Sequence, residues 1–354
     1  MEPDANIARS LPLIHHLPPE LMSAIFEYFV LRGLQDIEVM SWNKGPLLLL
    51  HIFHRWRTIT QDTPSLFTHI VFRYDPGIDP YKLIPMFLRN SRTLPLVMKL
   101  NGMLPGNLFS RRGQRRRNKL FAQLRNELSR VTSLHVCNRP YLQYLIPMDT
   151  PCITLPILRY LDLAHPYHVS ENPHTTELGI GHLIAPALIV IKSAYNYNLL
   201  KECIDIGPNE LREYTCGSSL AYLHPLDLVT VLRRYGRLRT ASFQYYETPE
   251  DITKMRLLHN DEWSSLLSDL TSLSIHIKWG ICECLPKILM GLRIPNLKCL
   301  AVTGSAGPEL FPSLTLWLSR STSELQELRI SPATLNNQLA LLWICFEVFL
   351  RYRP

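Results

Sequence analysis

The apolar positions near the start of the chain recur at the spacing of short amphipathic helices. Within residues 17–29, Leu21, Ile25 and Phe29 recur every fourth residue, so one face of the predicted helix is strongly apolar. A second apolar stretch, 46–59, begins at a proline that follows a glycine and is also predicted as a helix. Two helices this short carry more apolar surface than they can bury against each other, which is typical of a docking site.

A different pattern begins at Val131. Apolar residues there follow the spacing apolar–x–x–apolar–x–apolar, as in the LxxLxL segment of a leucine-rich repeat. The first positions run from 131 to 325, which is 194 residues over seven intervals, or about 28 residues per repeat. The eight triplets are Val131/Leu134/Val136, Leu158/Leu161/Leu163, Leu188/Ile191/Ser193, Leu211/Tyr214/Cys216, Leu238/Ala241/Phe243, Leu270/Leu273/Ile275, Leu297/Leu300/Val302 and Leu325/Leu328/Ile330.

These triplets predict strands that alternate with short helices, such as those expected at 227–235 and 282–290. Lead-in apolar residues precede several triplets, namely Leu155, Tyr235, Leu267 and Ile294. Ser193 and Cys216 break the apolar rule, and no asparagine follows at a fixed offset, so the repeats are irregular. A generic α/β domain is the alternative interpretation.

Together the two patterns predict a fold of class α+β to α/β. A small N-terminal helical domain is followed by an irregular leucine-rich-repeat-like α/β solenoid. The predicted divisions are a flexible lead at 1–11, the helical domain at 12–62, a linking and capping region at 63–130, and the repeat array at 131–354 with a C-terminal capping helix at 339–350. Within the linking region we expect strands at 65–72 and 94–100, a helix at 81–90 and a basic loop at 111–119.

The order of the N-terminal motifs resembles an F-box, and most closely a large fungal group of F-box proteins. The motifs are Leu17-Pro18-x-Glu20-Leu21, then Ile25-Phe26, an apolar helix that ends in Arg55-Trp56-Arg57, and the tail Thr63-Pro64-Ser65-Leu66-Phe67. The resemblance covers about residues 12–72, and residues 88–100 also resemble the segment that follows in that group. It implies an F-box that docks on the SKP adaptor (S-phase kinase-associated protein), which is attached to a cullin ubiquitin ligase.

The resemblance also implies which side chains contact the SKP adaptor: Leu17, Pro18, Leu21, Ile25, Leu50, Phe53 and Trp56. The alternative is that such side chains form only the core of an N-terminal helical cap. The implied function is a non-catalytic substrate-recognition adaptor, whose repeats bind a target protein destined for ubiquitin-dependent degradation. A non-ligase F-box scaffold protein is one alternative function. The segment 32–44 departs from the family because its polar and charged residues follow no obvious pattern.

The positive charge of the chain is concentrated in one tract. The sequence has 37 Lys and Arg against 30 Asp and Glu, a net charge of +7, and six basic residues in 111–119 account for all but +1 of it. They are Arg111, Arg112, Arg115, Arg116, Arg117 and Lys119. The tract is interpreted as a nuclear import signal, a contact for an acidic partner or a solvated loop. A nuclear nucleic-acid-associated protein is a further alternative, but such proteins usually spread their charge over a wider surface.

The remaining sequence features favour binding over catalysis. We find no phosphate-binding glycine loop, nucleophile elbow or HExxH motif, and therefore expect no enzyme activity and no cofactor. The eight cysteines are spread over more than 200 residues, and the one close pair, Cys282-x-Cys284, has too short a spacing for a zinc site, so neither a disulfide nor a metal site is assigned. No apolar run is long enough to cross a membrane, which predicts an intracellular protein in the cytoplasm, the nucleus or both. Aromatic candidates for target binding are Tyr195, Tyr197, Tyr245, Tyr246 and Trp279, and local packing is the alternative role for each of them.

Overall fold

The structure is a computed structural model, and its chain divides into two compact units, Met1–Gln123 and Leu124–Pro354. It describes residues 13–33, 45–72, 79–101, 111–150, 152–163, 180–194, 197–207, 210–217, 223–256, 265–278, 283–304, 310–320 and 325–332. The predicted lead at 1–11, the predicted capping helix at 339–350, and Tyr195 and Trp279 lie outside these residues.

The first unit begins with three helices that pack on one another. They are α1 (Pro19–Gly33), α2 (Gly45–Ile52) and α3 (His54–Gln61), with short 3-10 helices at Leu13–His16 and Pro64–Phe67. The helix predicted for 17–29 is confirmed, whereas the single helix predicted for 46–59 is wrong because two helices occupy it. The chain is extended at Phe53 (φ −153°, ψ 148°), between α2 and α3. The Leu50 carbonyl at the end of α2 accepts a hydrogen bond from Arg57 Nε (2.9 Å), which satisfies a group that the break leaves unpaired.

The rest of the first unit pairs two parallel strands with two helices. These are β1 (His69–Phe72), α4 (Pro80–Asn90), β2 (Leu96–Leu100) and α5 (Arg111–Asn126), with α5 crossing into the second unit. The strand predicted at 65–72 is shorter than expected because its first residues form the 3-10 helix. The predicted helix at 81–90 is confirmed, and the Asp79 carboxylate caps it by accepting the Tyr81 N–H (3.1 Å).

The basic loop predicted at 111–119 is wrong, because the tract forms the first turns of α5. Gly113, Arg117, Leu120 and Phe121 are buried at helical spacing. The Phe121 ring packs against Phe72 of β1 (centroids 6.4 Å apart). The charged tract is therefore continuous with an apolar helix face that anchors it in the unit.

The second unit alternates parallel strands with short helices. Its strands are β3 (Val131–Val136), β4 (Ile153–Thr154), β5 (Tyr160–Leu163), β6 (Leu183–Ala185), β7 (Val190–Ser193), β8 (Ile204–Ile206), β9 (Glu213–Cys216), β10 (Thr240–Tyr245), β11 (Ser265–Leu266), β12 (Ser272–Ile277), β13 (Leu292–Arg293), β14 (Cys299–Gly304) and β15 (Glu327–Pro332). Its helices are α6 (Arg139–Leu145), α7 (Tyr197–Cys203), α8 (Pro225–Arg234), α9 (Pro249–Arg256), α10 (Cys284–Gly291) and α11 (Leu310–Arg320). The mixed α/β class is confirmed.

The second and third positions of all eight predicted triplets lie on one parallel sheet, in which the described strands of this unit follow the order β3-β5-β7-β9-β10-β12-β14-β15. The first position lies at the start of β3 in the first triplet and two residues before the strand in the other seven. Equivalent triplet positions are paired across the sheet: Leu134 lies opposite Leu161, and Leu273 lies opposite Leu300. The irregular Ser193 and Cys216 occupy paired positions and are buried like the leucines they replace. Each strand therefore adds a row of side chains to a shared core.

The shorter strands of this unit form two further parallel sheets, β4-β6-β8 and β11-β13. The lead-in residues Leu155, Tyr235, Leu267 and Ile294 are all buried. The helices predicted at 227–235 and 282–290 are confirmed as α8 and α10. The sequence pattern thus located the main strands and two of the helices between them.

In this unit two carboxylates, those of Asp251 and Glu247, make hydrogen bonds at the N-termini of helices. The Asp251 carboxylate accepts the Thr248 N–H (2.8 Å) and hydroxyl (2.6 Å), and the Asp251 N–H donates to the Thr248 hydroxyl (3.2 Å), forming a capping box at α9. His224, at the start of α8, contacts the same carboxylate (2.9 Å from Nδ1). The buried Glu247 accepts the Cys284 N–H at the start of α10 and the Tyr245 hydroxyl (2.9 Å). Tyr245 is buried, so of its two predicted roles the structure favours local packing over target contact.

We predict that Asp251→Asn destabilises the protein at neutral pH but not in acid. Burial by itself raises the pKa of Asp251, but the hydrogen bonds from Thr248 and His224 outweigh it and hold the pKa below its usual 3.8. A lowered pKa stabilises the fold above the unfolded-state pKa, and this contribution is lost as the pH falls through the folded-state pKa. Urea unfolding of the full chain should show a loss of about 1 kcal/mol at neutral pH, the usual value of a cap. The two proteins should converge in acid, and Lys254→Gln at an exposed position of the same helix should leave the shape of the pH profile unchanged.

Candidate docking surface of the N-terminal helices

Helix α1 carries two apolar stripes rather than the single face that its sequence pattern predicted. Met22, Phe26 and Val30 are spaced at i, i+4 and i+8 and are 1%, 2% and 4% exposed. Leu21 and Ile25 lie on another side of the helix and are 54% and 43% exposed. The first stripe is core, and the second is presented to solvent. The exposed stripe continues through Tyr28 and Phe29, which are 56% and 50% exposed.

The buried stripe packs on α2 and α3. The ring of Phe26 lies 5.2 Å from that of Trp56, tilted by 55°, which is a favourable aromatic geometry. Polar contacts fix α1 at its start and along its length. Arg55 Nη2 donates to the Leu17 carbonyl (2.6 Å), and the Ser23 and Thr63 hydroxyls are 2.9 Å apart. The orientation of α1, and therefore of its exposed stripe, is set by these contacts.

Two more exposed apolar side chains lie where α2 meets α3. Ile52 ends α2 and is 48% exposed, and Phe53 forms the extended break and is 42% exposed. We refer to six residues as the exposed apolar set: Leu21, Ile25, Tyr28, Phe29, Ile52 and Phe53. A helical unit of this size that exposes so many large apolar side chains is typical of a protein-binding surface.

The side chains predicted to contact the SKP adaptor divide between surface and core. Pro18, Leu21, Ile25 and Phe53 are exposed, Leu17 and Trp56 are half-buried, and Leu50 is buried. Leu50 lies in the helical core, so we remove it from the predicted contact set. Tyr28, Phe29 and Ile52 are exposed but had not been predicted to contact the SKP adaptor. The spacing of Met22, Phe26 and Val30 was the available signal, because it defines a separate core stripe and leaves Leu21, Ile25 and Phe29 for the surface.

The basic tract is also divided. Arg117 is buried. Burial raises the pKa of the nearby Tyr81, and this effect is larger than the lowering by the positive charges of Arg117 and Arg116. The other five basic residues of the tract are exposed: Arg111, Arg112, Arg115, Arg116 and Lys119. Only these five are available to a partner.

The sheet of the second unit carries a polar cluster on the outward positions of three adjacent strands. His135 Nδ1 lies 3.3 Å from Asp162 Oδ2, and its Nε2 lies 3.2 Å from the Ser133 hydroxyl. The His135 ring stacks at 4.7 Å on Tyr160, and Lys192 Nζ lies 5.6 Å from the Tyr160 ring centroid. Burial and then the Asp162 charge raise the pKa of Tyr160, against the opposing effect of Lys192. We call these five residues the sheet-face cluster.

The outward positions of the four strands that follow are smaller. The row that contains His135, Asp162 and Lys192 continues through Thr215, Ser242, Ser274 and Ala301 and ends at Arg329 of β15. In this row the first strands therefore present charges, β9 to β14 present hydroxyls and a methyl group, and β15 again presents a charge, which is paired with Glu327. A partner protein would find its strongest anchors at the sheet-face cluster.

No set of side chains in the described residues is arranged to bind a metal ion. The six cysteines within them are free thiols, and burial raises the pKa of the Cys216 thiol to about 12 and also raises that of Cys284. Such thiols stay protonated at neutral pH and are poor nucleophiles. None of the helices in the described part of the chain is long and apolar enough to span a bilayer.

Comparison with known proteins returns no match, either to a protein-family model or to a curated protein. The interpretation of the exposed apolar set therefore depends on the residues and contacts of this chain alone.

We predict that core and surface members of the N-terminal helices differ sharply in their effect on stability. Trp56→Ala removes the ring that packs on Phe26 and should cost about 3 kcal/mol. Leu21→Ala and Ile25→Ala should change the free energy of unfolding by less than about 0.5 kcal/mol, because both side chains are already exposed. Hydrogen exchange of the α1 and α3 amides in the full chain measures this local stability. A loss at Leu21→Ala as large as that at Trp56→Ala would place Leu21 in the core.

Proposed function

We propose that this protein is the substrate-recognition adaptor of an SKP-cullin-F-box type ubiquitin ligase. The observation that carries the proposal is the second apolar stripe of α1, at Leu21 and Ile25, which is exposed while a separate stripe forms the core. The F-box resemblance implies that the same two residues contact the SKP adaptor. The motif and the exposure of these side chains are therefore two independent observations that support the same contact surface.

The exposed apolar set is suited to a stable protein interface. Leucine, isoleucine and phenylalanine side chains gain roughly 25 cal/mol for each Å² of apolar surface removed from water. Phe53 stands where the chain is extended between two helices, so its ring projects from a backbone fixed by the Arg57–Leu50 hydrogen bond. An interface of this kind should depend little on ionic strength, because it contains few charges.

In this proposal the sheet of the second unit binds the target protein as a divergent leucine-rich-repeat-like solenoid. The equivalent positions of its repeats are aligned, and those from β3 to β14 are buried, which leaves the outward positions free to vary. The sheet-face cluster supplies an aromatic ring and charges of both signs, and Tyr residues often concentrate binding energy. We therefore infer that the target contacts Tyr160, Asp162 and Lys192.

The mechanism requires no chemistry from this chain. A target held on one unit and an SKP adaptor held on the other place the target close to the ubiquitin-carrying enzyme of the ligase. Tethering raises the effective concentration of the target's lysines, which converts a slow bimolecular encounter into an intramolecular one. The protein's contribution is position, in the cytoplasm, the nucleus or both.

Co-purification of the full chain with an SKP adaptor tests the proposal. We expect a 1:1 complex from the wild type and at least a tenfold weaker one from Leu21→Asp/Ile25→Asp, because burying two carboxylates costs more than the interface gains. The matched control is Leu316→Asp, which also places a carboxylate at an exposed helical leucine but in α11 of the second unit. It should bind as the wild type does.

The complex should also persist when the salt concentration is raised, which separates an apolar interface from a charge-driven one. Equal binding by the wild type and the double variant would refute the docking surface. A stable complex that transfers no ubiquitin to any co-purified protein would instead identify a non-ligase F-box scaffold.

A further inference from the structure

The five exposed basic residues of α5 form one continuous helix face. Arg111, Arg115 and Lys119 are spaced at i, i+4 and i+8, and Arg112 and Arg116 form a parallel row beside them. The buried Gly113, Arg117 and Phe121 lie on the opposite side. We call the five exposed residues the basic face.

This basic face opposes the stability of the helix that carries it. Like charges at i, i+4 repel, and the rows contain three such pairs. The first turn of α5 has no acidic residue, so Arg111 and Arg112 stand at the positive end of the helix dipole. In the described part of the chain, none of the five forms an ion pair with a carboxylate. Charges of alternating sign would keep the helix soluble and would also avoid this repulsion. The single-sign face therefore indicates a binding role.

We propose that the basic face binds an acidic segment of another protein. Arginine presents paired N–H donors that match a carboxylate bidentately, and four of the five residues are arginine. Carboxylates spaced at i, i+4 on a partner helix repeat at the same interval as the two arginine rows. The basic face shares no residue with the exposed apolar set, and the proposal holds whether or not that set binds an SKP adaptor.

Two observations favour an acidic protein over a nucleic acid. The positive charge is confined to this tract, because the rest of the chain has a net charge of only +1 once its six basic residues are subtracted from +7. The exposed positions between the arginines, Gln114 and Asn118, offer no aromatic ring on which a base could stack. A short cationic patch suits a short acidic segment better than an extended phosphate backbone.

The test is fluorescence anisotropy of the full chain with a labelled peptide of three EEAA units, whose glutamate pairs mirror the arginine pairs. We expect Arg112→Gln/Arg115→Gln/Arg116→Gln to bind about tenfold more weakly than the wild type, with a shallower dependence on salt. Glutamine has nearly the helix propensity of arginine, so α5 should persist. Its unfolding temperature should rise, since the repulsion is relieved.

The matched control is Arg233→Gln/Arg237→Gln/Arg239→Gln, which removes three exposed arginines from the second unit. It should retain wild-type affinity for the EEAA peptide. A QQAA peptide should not bind the wild type. The proposal is overturned if the control variant loses as much affinity as the α5 variant, if neither peptide binds, or if a DNA duplex of equal charge binds more tightly than the EEAA peptide. A fall in the unfolding temperature of the α5 variant would show that the arginines serve the fold instead.

Discussion

The in-register pairing of equivalent apolar positions is the interaction on which the larger unit depends. No single strand–helix repeat can bury its own apolar face, so Leu134, Leu161, Leu273 and Leu300 are stable only as members of a shared row. Tight pairing extends to the strand ends: Gly304 has φ +100°, and a Cβ there would lie 1.8 Å from the Ile277 carbonyl oxygen. Because packing constrains only inward positions, the outward ones can carry recognition chemistry.

The N-terminal helices differ from the large sheet because they carry apolar side chains that are not buried in their own core. Phe26 and Trp56 supply the aromatic contact of their core, and Leu21 and Ile25 add apolar surface that this core does not use. In a protein that worked alone, polar residues at those two positions would cost nothing and would improve solubility. The same logic applies to α5, where charges remain at positions that disfavour the free helix. Both features are explained if partners cover them.

The sequence predicted the main parallel strands well because a period of about 28 residues is a long-range signal that one imperfect position does not erase. Ser193 and Cys216 are small enough to be buried where leucine is usual. Local features were harder to predict. The break at Phe53 has no glycine or proline to mark it and depends on a hydrogen bond from Arg57. The basic tract was assigned as a loop from its charge, whereas the apolar residues that make it helical lie further along the chain.

Photocrosslinking tests the central claim, that the exposed stripe of α1 faces an SKP adaptor, most directly. Benzoylphenylalanine would replace Ile25 in one sample and Leu316 of α11 in another, since both are exposed and helical. If the claim holds, irradiation with an SKP adaptor joins the two proteins through position 25 and leaves position 316 unreacted. Crosslinking at both positions, or at neither, would contradict it.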